Sequence, residues 1–162
     1  MQLRTHDYRH AEIILNSSFR LKKQIERVLG DLQLQLPRGR AAECCPPHRQ
    51  VQRAFVRRGW KGEVLVSPRT SRRHYFDLLK ERVAIEIEFS NRELLYRDYM
   101  RFLMAQGDGR IDVGVIVMLD ADACYVHPWG GRNGLPRLDD AVDDLTALAA
   151  HITVPIWLIA LS

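Results

Sequence analysis

His74–Asn91 reads HYFDLLKERVAIEIEFSN, and the fold turns on how these residues are arranged. In the second half Val83, Ile85, Ile87 and Phe89 alternate with Ala84, Glu86 and Glu88. Strand side chains point to opposite faces with a period of two. This half is therefore a strand with one apolar face toward a core. Its other face carries two acids, about 7 Å apart at the Cα atoms for a rise of roughly 3.3 Å per residue. Tyr75–Leu79 reads as an adjoining strand of a hairpin, and it brings Asp77 toward the same end.

Two like charges side by side repel unless something neutralises them. A divalent cation does so well, and Mg²⁺ prefers hard oxygen ligands, commonly one or two carboxylates with substrate phosphate oxygens. A solvated strand face would accommodate the same E-x-E spacing. Lys80 is the nearest cation; three residues from Asp77, it falls on the opposite face of a regular strand.

Downstream, Asn91 reads as an N-cap with Glu93 in the first turn. Leu94, Leu95, Tyr99, Phe102 and Leu103 form the apolar stripe of a helix that stops at Gly107. Asp98 in this helix can be read as catalytic, but a surface or helix-packing role suits it better. Ile111–Leu119, IDVGVIVML, is almost continuously apolar, as in a strand buried on both faces. Strand, helix and strand of this size make a parallel pair with a right-handed crossover. Leu138–Ala150 is an acidic amphipathic helix with Leu138, Val142, Leu145 and Leu148 inward, and Val154–Leu161 a final buried strand.

Upstream, Ala11–Leu29 has helical spacing and ends at Gly30. Residues 32–36, LQLQL, suit a short edge strand or a helical remnant, and the Pro- and Gly-rich stretch after them a loop. Arg49–Trp60 reads as a helix closed by Gly59, with Arg49, Arg53, Arg57 and Arg58 including i, i+4 neighbours. Glu63–Ser67 reads as a strand and Pro68–Arg72 as a turn, beside which Arg69, Arg72 and Arg73 cluster.

The chain has 162 residues, of which 46% are hydrophobic, enough for one domain over residues 1–162 with its own core. No apolar run is long enough to span a bilayer, and the charged N-terminal segment lacks the apolar stretch of a signal peptide. A cytoplasmic protein is expected. Cys44, Cys45 and Cys124 form no disulfide framework. Cys44-Cys45-Pro-Pro-His48 lacks the C-x₂-C spacing of a zinc site. His127–Arg137, HPWGGRNGLPR, has neither phosphate-loop nor dinucleotide spacing.

Charge is unevenly spread. Residues 1–80 carry 17 Lys and Arg against 7 Asp and Glu, whereas residues 81–162 carry 7 against 13. A basic half suits a polyanion, and the planar fork of arginine suits phosphate.

An Asp, eight intervening residues and E-x-E on an apolar strand, then a helix and IDVGVIVM, resemble the BglII/BamHI branch of the PD-(D/E)XK nucleases. The likeness is carried by FDLLKERVAIEIEFSN, YRDYMRF and GRIDVGVIVM. It implies an α/β restriction-endonuclease-like core, a central mixed sheet flanked by helices. It also implies a type II restriction endonuclease that cuts duplex DNA as a homodimer with Mg²⁺. Asp77, Glu86 and Glu88 take the catalytic positions. Asp77, Glu86 and the Ile87 backbone carbonyl would hold metal, with Glu88 and Glu63 as further candidates. Glu88 stands where most of the superfamily has Lys, which favours orienting or deprotonating water over stabilising charge. Arg53, Arg57, Arg69, Arg72, Arg73, Arg132 and Asn133 are candidate DNA contacts. The chain is shorter than the familiar members, leaving less material for recognition. The same fold also serves nucleases that read structure or cut without specificity, and inert DNA-binding proteins.

Overall fold

A computed structural model describes residues 2–34, 47–69, 73–90, 92–119 and 136–162. Six strands form one mixed sheet: β1 (Leu3–Tyr8), β2 (Lys61–Leu65), β3 (Tyr75–Lys80), β4 (Val83–Glu88), β5 (Val113–Leu119) and β6 (Ile156–Leu161). Their order across the sheet is β1-β6-β5-β4-β3-β2. The central strands β4, β5 and β6 run parallel. The β2–β3, β3–β4 and β1–β6 pairs are antiparallel. This is the α/β mixed-sheet architecture that the sequence resemblance implied.

Helices cover both faces, as parallel strands require. On one side α1 (Ala11–Ser17), α2 (Lys22–Gly30) and α3 (Pro47–Val56) place Leu15, Ile25, Val51 and Phe55 against Val83, Ile85 and Ile87. On the other, α4 (Glu93–Gly107) and α5 (Leu138–Ala147) place Leu95, Phe102 and Leu145 in a core with Ala84 and Ile116. The odd- and even-numbered residues of β4 therefore face different cores. At the α4 contact, a Cβ on Gly114 of β5 would lie 2.5 Å from the Phe102 ring. Only a residue without a side chain lets the helix settle this close.

Several boundaries depart from the sequence reading. The helix expected over Ala11–Leu29 is two helices. Asn16, Ser17 and Ser18 are weak helix formers whose short side chains compete for backbone groups; the Ser17 hydroxyl donates to the Ile13 carbonyl at 2.7 Å. Arg20 then takes a left-handed φ of 55°, which no α-helix continues through. Strand β1, LRTHDY, is polar and only partly buried, so hydropathy does not mark it. The strand expected at Glu63–Ser67 lies two residues earlier, and Glu63 itself has φ 52°. The helix expected to reach Ala150 ends at Ala147. Residues 35–36 of LQLQL, the loop cysteines, the proposed cap Asn91 and the glycine-rich stretch at 127–135 lie outside the described residues.

Candidate active site

The β3–β4 hairpin turns through Glu81 and Arg82, with Glu81 at φ 52°. From there it pairs Lys80 with Val83, Leu79 with Ala84 and Leu78 with Ile85. The next rung would set Asp77 opposite Glu86, but pairing stops before it. β4 stays paired with β5 on its other edge, through Glu86–Ile116 and Glu88–Met118. The end of β4 is thus held on one side and open on the other.

Side chains take over the backbone groups released there. The Ile87 amide donates to Asp77 Oδ2 at 2.8 Å. In return the Asp77 amide points to Glu86 Oε2 at 3.4 Å. Asp77 Oδ1 faces His48 Nε2 at 3.1 Å; His48 comes from the first turn of α3. Glu88 Oε1 accepts from the Ser90 amide at 2.8 Å and the Ser90 hydroxyl at 2.5 Å.

Helix α4 closes the site from the other side. Arg101 Nη1 lies 3.0 Å from Glu86 Oε1 and 3.2 Å from Asp98 Oδ1. Arg97 reaches Asp98 Oδ1 at 3.4 Å and Glu88 Oε2 at 3.7 Å. Glu86, Glu88 and Asp98 are 2%, 4% and 1% exposed, so β4 does not present a solvated acidic face. Ionised carboxylates are that deeply buried only with charge partners.

Electrostatics divide the acids. Burial, together with the nearby Asp98 and Asp77 charges, pushes the Glu86 carboxyl well above the ordinary carboxylate range, against the pull of Arg101. Burial raises Asp98 to about 7, with Glu88 adding to the rise and Arg97 and Arg101 opposing it. Burial works the same way on Asp77, but the His48 contact and the Ile87 amide outweigh it and hold that acid below its usual value. His48 is raised: burial opposes its charge, and Asp77 more than compensates.

Asp77, Glu86, Ile87 and Glu88 line one open pocket of about 390 Å³, together with His48, Asp98, Arg97 and Arg101. The structure thus brings together the three acids read from the sequence. Glu63, the further candidate, is not among them. Its left-handed turn in edge strand β2 leaves it exposed and outside the pocket lining. Lys80 is not in the pocket lining and is bonded to Gln24 and the Arg58 carbonyl. Arg53, Arg57 and Arg73 are exposed. Arg69 is exposed as well and paired with Asp108 at 3.0 Å. Arg72, Arg132 and Asn133 lie outside the described residues.

Three members of the site escaped the sequence reading, His48, Arg97 and Arg101, and a fourth, Asp98, was read chiefly as a surface or helix-packing residue. Asp98 is not on the surface. It stands within the apolar stripe, three residues after Leu95 and four before Phe102, and a carboxylate at that spacing was the available signal.

Among the described residues, no three His, Cys, Asp or Glu side chains form a closed metal cage. The donors nevertheless fit a hard cation of the Mg²⁺ type, which needs only one or two carboxylates and takes its other ligands from water and substrate. Asp77 and Glu86 supply such oxygens in an open pocket. Among the described residues, Glu86 Oε2 is engaged only by the 3.4 Å contact.

Residues 3–161 match the family described as restriction endonuclease BglII/BglIII. The crystal structure of restriction endonuclease BglII complexed with a DNA 16-mer is similar, with a TM-score of 0.78 and 22% identity over 99% of this chain and 76% of that one. The crystal structure of free BglII gives 0.68 and 22%, over 100% and 80% respectively. No curated protein matches.

Proposed function

The chain belongs to the BglII/BglIII restriction endonuclease family, a family of type II site-specific deoxyribonucleases, and we propose that it hydrolyses duplex DNA with Mg²⁺ as a homodimer. One observation carries this reading. Asp77 and Glu86, on neighbouring strands, meet where the hairpin opens and share a pocket with Glu88. The BglII structure with a DNA 16-mer supports duplex DNA as the partner. A two-fold dimer suits a palindromic site. A DNA-cutting enzyme of this kind belongs in the cytoplasm, and among the described residues no helix is long and apolar enough to cross a membrane. We take residues 1–162 as a single nuclease domain.

In this mechanism Asp77 and Glu86, with the Ile87 carbonyl, would hold the cation. When bound, the cation supplies Lewis acidity to the phosphate and makes water a better nucleophile. Glu88 lines the pocket with one oxygen fixed by Ser90 and the other 3.7 Å from Arg97; it orients the attacking water or accepts its proton. A P–O bond forms to that water as the bond to the leaving oxygen breaks. His48 keeps Asp77 ionised, and Arg97 at the pocket mouth offers charge to phosphate oxygens. Arg53, Arg57, Arg69 and Arg73, with Arg72, Arg132 and Asn133 from the sequence reading, are the proposed DNA contacts.

Plasmid cleavage tests this reading, run with Mg²⁺, with EDTA, and with Glu86→Ala. Discrete fragments that need both metal and Glu86 are expected. A metal-dependent smear would instead indicate a nonspecific or structure-reading nuclease. Duplex binding without cleavage of any plasmid or genomic substrate would indicate an inert DNA-binding protein.

A further inference from the structure

We propose that Asp98 is a positioning residue: it restrains Arg101 so that the guanidinium engages only one oxygen of Glu86 and leaves the other for a cation. The inference rests on the nuclease reading above and goes beyond it to residues outside the E-x-E motif.

The argument begins with where Asp98 sits. Leu95, Tyr99 and Phe102 pack α4 onto the sheet, and Asp98 lies among them, 1% exposed. An ionised carboxylate is costly there unless cations meet it. Arg101 does so at 3.2 Å, and the same Nη1 atom reaches Glu86 Oε1 at 3.0 Å. One nitrogen is thus shared by two acids. Its Nε is buried and has no hydrogen-bond partner among the described residues. The guanidinium is therefore set by the two carboxylates rather than by saturation of its own donors.

Arginine pairs most strongly with a single carboxylate as a two-pronged fork, two parallel N–H···O bonds. Asp98 prevents that arrangement by drawing Nη1 between itself and Glu86. Glu86 keeps Oε2 on the Asp77 side, in contact with the Asp77 amide only at 3.4 Å. Without the Asp98 charge, Arg101 closes onto both Glu86 oxygens and competes with any cation. Without Arg101, Glu86 is accessible but loses the contact that fixes its orientation.

The test is a double-mutant cycle on the full chain with Asp98→Asn, Arg101→Gln and the double variant. Ca²⁺ binding is measured by calorimetry, and kcat and KM with Mg²⁺ on a cleavable duplex. Asp98→Asn is expected to weaken Ca²⁺ binding by about 10- to 100-fold, the range for losing a group that orients a metal ligand, and to lower kcat with KM for duplex little changed. Arg101→Gln is expected to lower kcat without weakening Ca²⁺ binding. In the Arg101→Gln background, Asp98→Asn should change neither quantity further. The proposal is overturned if Asp98→Asn binds Ca²⁺ like the parent, or if the two effects multiply in the double variant. Should Asp98→Asn fail to fold, Arg101→Gln decides alone: Ca²⁺ binding weakened in step with kcat overturns it. Cleavage by the parent tests the nuclease reading separately. A parent that binds Ca²⁺ as the cycle requires but cuts no duplex sinks that reading and leaves the geometric inference standing.

Discussion

The Ile87 amide donates to the Asp77 carboxylate at 2.8 Å, although a continued ladder would set Ile87 opposite Phe76. Asp77 thus does two things at once. It repairs a backbone bond lost when the hairpin opens, and it faces the pocket. Asp77→Asn retains an oxygen acceptor for that amide and should keep most of the stability. Asp77→Ala strands a buried donor and should cost about 1–3 kcal/mol. Urea unfolding separates the two variants, while plasmid assays should find both inactive.

The His48–Asp77 pair sets a pH window. His48 is raised, so its contribution is fully present below the unfolded histidine value of about 6.5 and fades as pH rises through the higher folded value. Asp77 is lowered, so its contribution is present above the unfolded value of about 3.9 and fades as pH falls through the lower folded one. The pair therefore stabilises most between these limits. His48→Gln should cost on the order of 1–3 kcal/mol near pH 5.5 and much less near pH 8.5, as read by thermal melts. Equal losses at both pH values would refute the ion pair.

Asp98 and Glu86 act with the opposite sign. Both are raised by burial, so in EDTA the folded state holds more protons than the unfolded one above about pH 4. Stability should fall as pH rises from there toward 7, where Asp98 titrates at about 7. Asp98→Asn should flatten this slope in metal-free melts. An unchanged slope would mean that Asp98 does not titrate in that range.

Glu88 sits 4% exposed with one oxygen held by Ser90. If it takes a proton from water, Glu88→Gln should lower kcat by about 10²–10⁴-fold while metal-free duplex affinity stays unchanged. A loss confined to KM would instead make Glu88 a binding residue.

The acids were legible because strand alternation is a local rule: Glu86 and Glu88 had to share a face, and Asp77 had to be near them in a hairpin. The central strands were legible for the same reason, since Val113–Leu119 and Ile156–Leu161 are apolar enough to need no context. β1 was not, because an edge strand with polar residues on its open side owes its existence to β6. His48 was hidden differently: it enters the site from a helix 29 positions before Asp77 in sequence, after a stretch of sequence that carries no recognisable spacing. Arg97 and Arg101 look on paper like ordinary helix-surface charges, and Asp98 like a surface or helix-packing residue. Only the packing of α4 brings them to the pocket, and Asp98 in an apolar stripe was the one hint of it.

The missing side chain at Gly114 fixes how deep the arginine and aspartate of α4 reach. Phe102 follows Arg101 directly in sequence, so the height of its ring above β5 also sets the level of the guanidinium over Glu86. Gly114→Ala inserts a methyl where the ring now lies at 2.5 Å and should cost about 1–3 kcal/mol from overpacking. Its larger effect should be remote. By lifting the helix, it acts as a shim that loosens the charge clamp on the acids, with every ionisable residue of the pocket left intact.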